Sequence, residues 1–152
     1  MKAGKTVMLG AGAFLSLALL TAEQAHSWQQ GALTTCSLAT LKGLYMFAQS
    51  GYVTISGSLV PQGVTGKVIF NGNGTFKSLA TISVGGTIVP DDAAPGTYTL
   101  NSDCTGTVTV LMTAPMPDVH LDIFVPPDGD EIFTIQTDPG NVVSGTERRV
   151  AP

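Results

Sequence analysis

Residues Gly96 to Met112 read GTYTLNSDCTGTVTVLM. Two alternating runs flank a polar turn at Ser102-Asp103. On one arm Tyr98 and Leu100 alternate with Thr97, Thr99 and Asn101. On the other, Val108, Val110 and Met112 alternate with Thr107, Thr109 and Leu111. A period of two, with β-branched residues on both arms, predicts an antiparallel hairpin. Cys104 lies at the base of the second arm in phase with Val108 and Val110, so it faces the apolar side and can staple the hairpin to a distant segment.

The same signals recur on either side. Leu38 to Phe47 enters the fold, with a first strand around Gly43-Leu-Tyr-Met-Phe47 that Gly51 to Ser56 either continues or follows with a second. Gly57 to Gly63, which holds Pro61, reads as a loop. Thr65 to Asn71 and Thr75 to Val84 flank Asn71-Gly-Asn-Gly74, a strong hairpin signal. The alternation shifts near Leu79, which predicts a bulge. Gly85-Gly86 breaks that strand, and Pro90 to Pro95 reads as a turn-rich connection. Past the hairpin, Pro115-Met-Pro117 ends the pairing. Val119 to Val125, Glu131 to Thr137 and Val142 to Val150 are the closing strands, separated by Pro126-Pro-Asp-Gly129 and Asp138-Pro-Gly-Asn141.

Eight or nine short strands with no connection long enough for a crossover helix predict antiparallel neighbours in an all-β domain. Such a chain packs as a sandwich or closes as a barrel. Charged residues are only 12% of the 152, too few to blunt exposed strand edges. Closure removes those edges.

The first segment reads differently. Lys2 and Lys5 precede the apolar run Val7 to Leu20, which is short for a bilayer span and leads into a polar exit. Residues 1–27 therefore read as a secretory signal peptide, with Ala25-His26-Ser27 before the cut and a cut after Ala22 as the alternative, and 28–152 as one domain. The exported chain has no stable membrane span. It keeps 5 basic and 10 acidic residues, and its only adjacent basic pair is Arg148-Arg149. No positive footprint exists for a nucleic-acid partner. Export also decides the cysteines. Cys36 and Cys104 are the only two, and a secreted or periplasmic location makes a disulfide between them the expectation.

Several short motifs carry a further likeness: Cys36-Ser-Leu38, Leu41-Lys-Gly43-x-Tyr45, Phe70-Asn-Gly72 with Gly74, Gly96-Thr-Tyr98, Asp103-Cys-Thr-Gly-Thr107, and Thr137-Asp-x-Gly140 with Arg148. In this order they resemble secreted bacterial proteins of the allene oxide cyclase barrel-like group. The resemblance covers most of the exported chain. It implies an eight-stranded, calycin-like antiparallel barrel with a lumen. The plant cyclases of that name close an unsaturated fatty-acid epoxide in a mainly apolar cavity. Their catalytic positions do not map onto residues of this sequence.

Candidate chemistry is sparse. Tyr45 and Tyr98 sit at alternating positions beside Gly43 and Gly96, where their hydroxyls can polarise a carbonyl or pack in the core. On the last strand either Arg148 or the pair Glu147 and Arg149 points inward. An inward Arg148 would bind a ligand carboxylate. Phe47, Val110 and Phe133 supply the expected apolar wall, with Tyr45, Tyr98 and Arg148 as the polar contacts and the catalytic candidates. His120 and Asp122 share a strand face, but Leu121, Ile123 and Val125 opposite them look more like the interior. Asp91-Asp92 and Asp128 to Glu131 lack calcium-loop spacing, and one exported His leaves no metal set, so neither metal nor cofactor is expected.

These readings predict an exported barrel that binds an apolar or amphipathic small molecule in its lumen. Two alternatives remain open. One is an isomerase or cyclase of the allene oxide cyclase-like type, acting on an unsaturated lipid- or polyketide-like substrate. The other is a structural or surface-interaction barrel without a ligand.

Overall fold

The computed structural model describes residues 35–151; the segment read as a signal peptide, residues 1–27, lies outside them. A 3-10 turn at Leu38–Thr40 leads into eight strands in chain order: β1 (Lys42–Ile55), β2 (Ser58–Asn71), β3 (Thr75–Val84), β4 (Thr87–Leu100), β5 (Thr105–Val110), β6 (Val119–Phe124), β7 (Glu131–Gln136) and β8 (Val142–Ala151). Every strand pairs antiparallel with the next, and β8 pairs with β1, so the sheet closes into an eight-stranded barrel. The organising hairpin is β4–β5, with Tyr98 opposite Val108 and Thr99 opposite Thr107. Its turn is held by Asp103, whose Oδ1 accepts from the Thr105 N–H at 3.1 Å and from the Thr105 hydroxyl at 2.7 Å. Asn73 does the same for Thr75 in the β2–β3 turn, at 3.2 and 2.8 Å. Short polar side chains thus satisfy backbone groups that each turn frees.

Two segments read as loops are strand. Gly57 to Gly63 lies mostly within β2, with Pro61 opposite Tyr52. Pro90 to Pro95 lies within β4. Proline is tolerated in both because these strands overhang shorter neighbours. β2 pairs with β3 only from Gln62 onward, and β4 with β5 only from Gly96 onward. The carbonyl of Pro61 accepts from Gly85 at 2.9 Å, and that of Pro95 from Leu111 at 2.9 Å, each just past the last paired residue. The missing N–H of each proline faces the same way, beyond the ladder, so no sheet bond is lost. The irregularity expected near Leu79 falls between Ala80 and Ile82, opposite Asp91, whose φ is 51°. Gly51 to Ser56 continues the first strand, because β1 runs 14 residues without a break.

The barrel has two unlike ends. One carries the β2–β3, β4–β5 and β6–β7 turns together with the chain entering at Cys36. Leu41 and Tyr45 are fully buried there, and Phe70, Phe76, Tyr98, Ile123, Val125 and Ile132 complete the core. Phe70 makes edge contacts with Tyr45 and Tyr98, centroids 5.3 and 5.1 Å apart, and a tilted one with Phe76 at 5.4 Å. Such pairs add to the stabilisation that burial gives. Gly96 is needed here, since a Cβ at this position would run into the Phe76 ring. Cys36 and Cys104 form a disulfide across 68 residues, tying the entering chain to the central hairpin.

Candidate functional site

Alternation along closed strands decides which residues line the lumen. In the middle of the barrel those residues are small. Gly66 on β2 faces Ala80 on β3, and Ala94 follows on β4. An eight-stranded barrel is just wide enough for side chains to fill; here small residues leave it unfilled. The result is a cavity of about 110 Å³ floored by Phe70 and Phe76 and walled by Phe47, Val68, Val108, Val110 and Leu121. Its mouth carries Gln62, Ile82, Asp92 and Met112, all less buried than the floor, at the end opposite the disulfide.

One acid reaches this wall from within. Glu147 on β8 sits opposite Phe47 on β1 and Ile132 on β7. It is 6% exposed, makes no ion pair among the described residues, and its Oε2 has no hydrogen-bond partner. Burial in apolar surroundings disfavours the charged form, and the carboxyl is pushed up to about 8. At neutral pH it is mostly protonated. Around it the polar groups are engaged with one another: Gln49 Nε2 donates to Thr134 Oγ1 at 3.3 Å, and Thr134 Oγ1 to the Gly145 carbonyl at 3.3 Å.

The two tyrosines close the barrel and do not line the cavity. Tyr45 donates its hydroxyl hydrogen to the Gly129 carbonyl at 2.6 Å and accepts from Arg149 Nε and Nη2 at 2.9 and 2.7 Å. Arg149 Nη2 also donates to the Thr40 carbonyl at 2.6 Å, and its guanidinium lies over the Tyr45 ring, 5.3 Å from the centroid. Asp130 approaches Arg149 at 3.5 Å from the outer side. The Tyr98 hydroxyl shares its hydrogen between the carbonyls of Leu38 at 2.8 Å and Leu41 at 3.0 Å. Burial raises both phenols above their ordinary value, more than the Arg149 hydrogen bond lowers Tyr45. Both remain neutral; Tyr98 holds the 3-10 turn directly and Tyr45 holds it through Arg149.

Two residues expected in the lumen are outside it. Arg148 has a side chain 79% exposed, 3.9 Å from Glu131 on the outer face. The inward phase of β8 is Val143, Gly145, Glu147 and Arg149. Both phases of VVSGTERRV contain valine and charge, so periodicity alone does not choose; the β1–β8 register does. Phe133 is 46% exposed. Residues directly opposite share a face, and Ile123 lies opposite Thr134, so the inward set of β7 is Ile132, Thr134 and Gln136. Phe133 is left opposite Phe124 on the outer surface. Phe47 and Val110 do line the cavity.

His120 and Asp122 are exposed. The partner of His120 is Asp138 in the β7–β8 turn, whose Oδ1 lies 2.7 Å from His120 Nδ1 and whose Oδ2 accepts from the His120 N–H at 2.9 Å. Partial burial raises the Asp138 carboxyl, but these bonds and one from Gln136 outweigh it and hold the group below its ordinary value. Among the described residues no three His, Cys, Asp or Glu side chains gather where they could hold a metal ion, and no helix is long and apolar enough to cross a membrane. No protein-family model matches the chain, and no curated protein matches it.

Proposed function

We propose that the protein is an exported barrel that binds a small apolar or amphipathic molecule in its lumen. The observation that carries this reading is the apolar-walled cavity of about 110 Å³ in a closed barrel. Small inward residues, Ser78, Ala80 and Ala94, leave that space unfilled. Sites that enclose drug-sized ligands span roughly 300–1,000 Å³. The enclosed part therefore suits a ring or short chain, with any longer portion lying in the mouth. The Cys36–Cys104 disulfide fits a secreted or periplasmic location.

Native mass spectrometry of protein purified from an exporting host tests the reading. A co-purifying small molecule that leaves on unfolding supports it. An empty protein that also fails to take up short apolar compounds removes it.

A second reading, a cyclase or isomerase of the allene oxide cyclase-like type, has one observation in its favour. A lone carboxyl in an apolar cavity stays protonated and can act as a general acid, and Glu147 is such a group. Formation of a cyclised product from an unsaturated fatty-acid epoxide, lost in Glu147→Gln, would support it. Intact substrate would eliminate it.

A further inference from the structure

The lumen carries acid and no base. Glu147 and Asp92 line the cavity, and no Lys, Arg or His does. Arg149 follows two positions after Glu147 on the same face, but its guanidinium is turned to the closed end, onto Tyr45, Thr40 and Asp130. A fatty carboxylate, which an inward Arg148 would have welcomed, finds no cation here and meets Asp92 at the mouth and, once ionised, Glu147.

The hydrogen-bond inventory points the same way. The Ser78 hydroxyl donates to the Ala94 carbonyl at 3.0 Å, the Thr134 hydroxyl to the Gly145 carbonyl, and Gln49 Nε2 to Thr134. These donors are committed to the protein. What remains without a partner is Glu147 Oε2, a carboxyl oxygen that accepts once the group is ionised. Buried polar groups without partners are rare in folded proteins and ask for an explanation. A partner for the ionised carboxyl must bring donors and, best, a positive charge.

We propose that the lumen selects molecules with a basic nitrogen on a short apolar body, the ammonium pairing with Glu147 and the apolar part lying on Phe70 and Phe76. This rests on the lumen being the ligand site. Removing a carboxylate from water is the large cost of a buried ion pair. Folding buries Glu147 as the neutral acid, so below about pH 8 the cost of charging it falls on the binding step, and above that point it does not. Asp92 at the mouth adds a second negative group on the entry path.

The proposal dictates a pH dependence. Glu147 faces Tyr45 and Phe47 from β1, Ile132 and Thr134 from β7, Arg149 on its own strand, and Asp92 across the lumen. The wall residues of β2, β3, β5 and β6 are not ionisable. An alkylammonium keeps its proton to about pH 10, whereas Glu147 ionises around 8. Below that point the pair forms only by releasing a proton. Affinity should rise by up to about ten-fold per pH unit from 6 to 8 and then level.

The test uses hexylamine, 1-hexanol and hexanoate, which share one apolar body. Calorimetry gives affinities at pH 6 to 9, and the methyl NMR signals of Ala80 and Ala94 report entry into the lumen. The expected result is hexylamine binding at least about ten-fold tighter than hexanol at pH 8, hexanoate binding weakest, and a Glu147→Gln variant that erases both the amine preference and its pH slope while still taking hexanol. Hexanol or hexanoate binding as tightly as hexylamine, or an unchanged preference in Glu147→Gln, overturns the amine proposal and leaves the lumen as a ligand site. Failure of all three to move the Ala80 and Ala94 signals overturns the lumen reading and the proposal together.

Discussion

Replacing Glu147 by Gln should make the barrel more stable, and by an amount that depends on pH. The folded protein binds the Glu147 proton more tightly than the unfolded chain does, with the carboxyl raised from an ordinary 4.5 to about 8. Stability from this group is therefore greatest below pH 4.5. It falls as pH rises through the interval from 4.5 to 8, and the loss levels off above 8. At about 1.4 kcal/mol per tenfold, the loss reaches about 3 kcal/mol by pH 7 and about 5 kcal/mol above pH 8. Gln occupies nearly the same volume and is neutral throughout, so it lacks this slope. Chemical denaturation followed by far-ultraviolet circular dichroism, on wild type and Glu147→Gln at pH 4, 7 and 9, reads the difference directly. Other titrating groups cancel in the comparison. Parallel stability profiles for the two proteins would refute the assignment of Glu147 as a buried, unpaired acid.

Four further outcomes follow from the geometry. Cys36→Ala with Cys104→Ala should lower stability by about 4 kcal/mol, the loop-closure value for a 68-residue separation, read as a reduced denaturation midpoint; alkylation of the native protein should label neither cysteine. Tyr45→Phe removes the acceptor for two Arg149 donors and the donor to Gly129. It should cost about 2–3 kcal/mol by equilibrium unfolding, without changing which ligands the lumen takes. Arg148→Ala should leave stability within about 0.5 kcal/mol and lumenal binding unchanged in the same calorimetric assay. Gly96→Val drives a side chain into the Phe76 ring and should destabilise by about 1–3 kcal/mol, with shifted aromatic NMR signals at the cavity floor.

How much of this was legible beforehand differs element by element. The β4–β5 and β2–β3 hairpins were readable because turn residues and alternation agree in GTYTLNSDCTGTVTVLM and around Asn71-Gly-Asn-Gly74. The disulfide followed from composition and the expected compartment. Pro61, Pro90 and Pro95 misled because a proline signals a missing donor, and sequence does not show that a strand overhangs its neighbour and needs no donor there. The lumen was legible in outline through Phe47 and Val110. Its sign of charge was not. Glu147 and Arg148 are adjacent and both phases of β8 are plausible, so the choice belongs to a register fixed some hundred residues away in β1. Phe133 failed because Phe133 and Ile135 form the more apolar phase of EIFTIQ, yet the partner strands turn Ile132, Thr134 and Gln136 inward.

The clasp of Arg149, Tyr45 and the Leu38–Thr40 turn has one more consequence. The cystine and the Arg149–Tyr45 clasp are gathered at one pole, while the opposite rim is tied separately, by Thr54 to Asn141 and by His120 to Asp138. Substitutions at Gln62, Ile82, Asp92 or Met112 therefore reshape the open rim at positions outside both sets of ties, so its lining can drift while the closed pole keeps its lock.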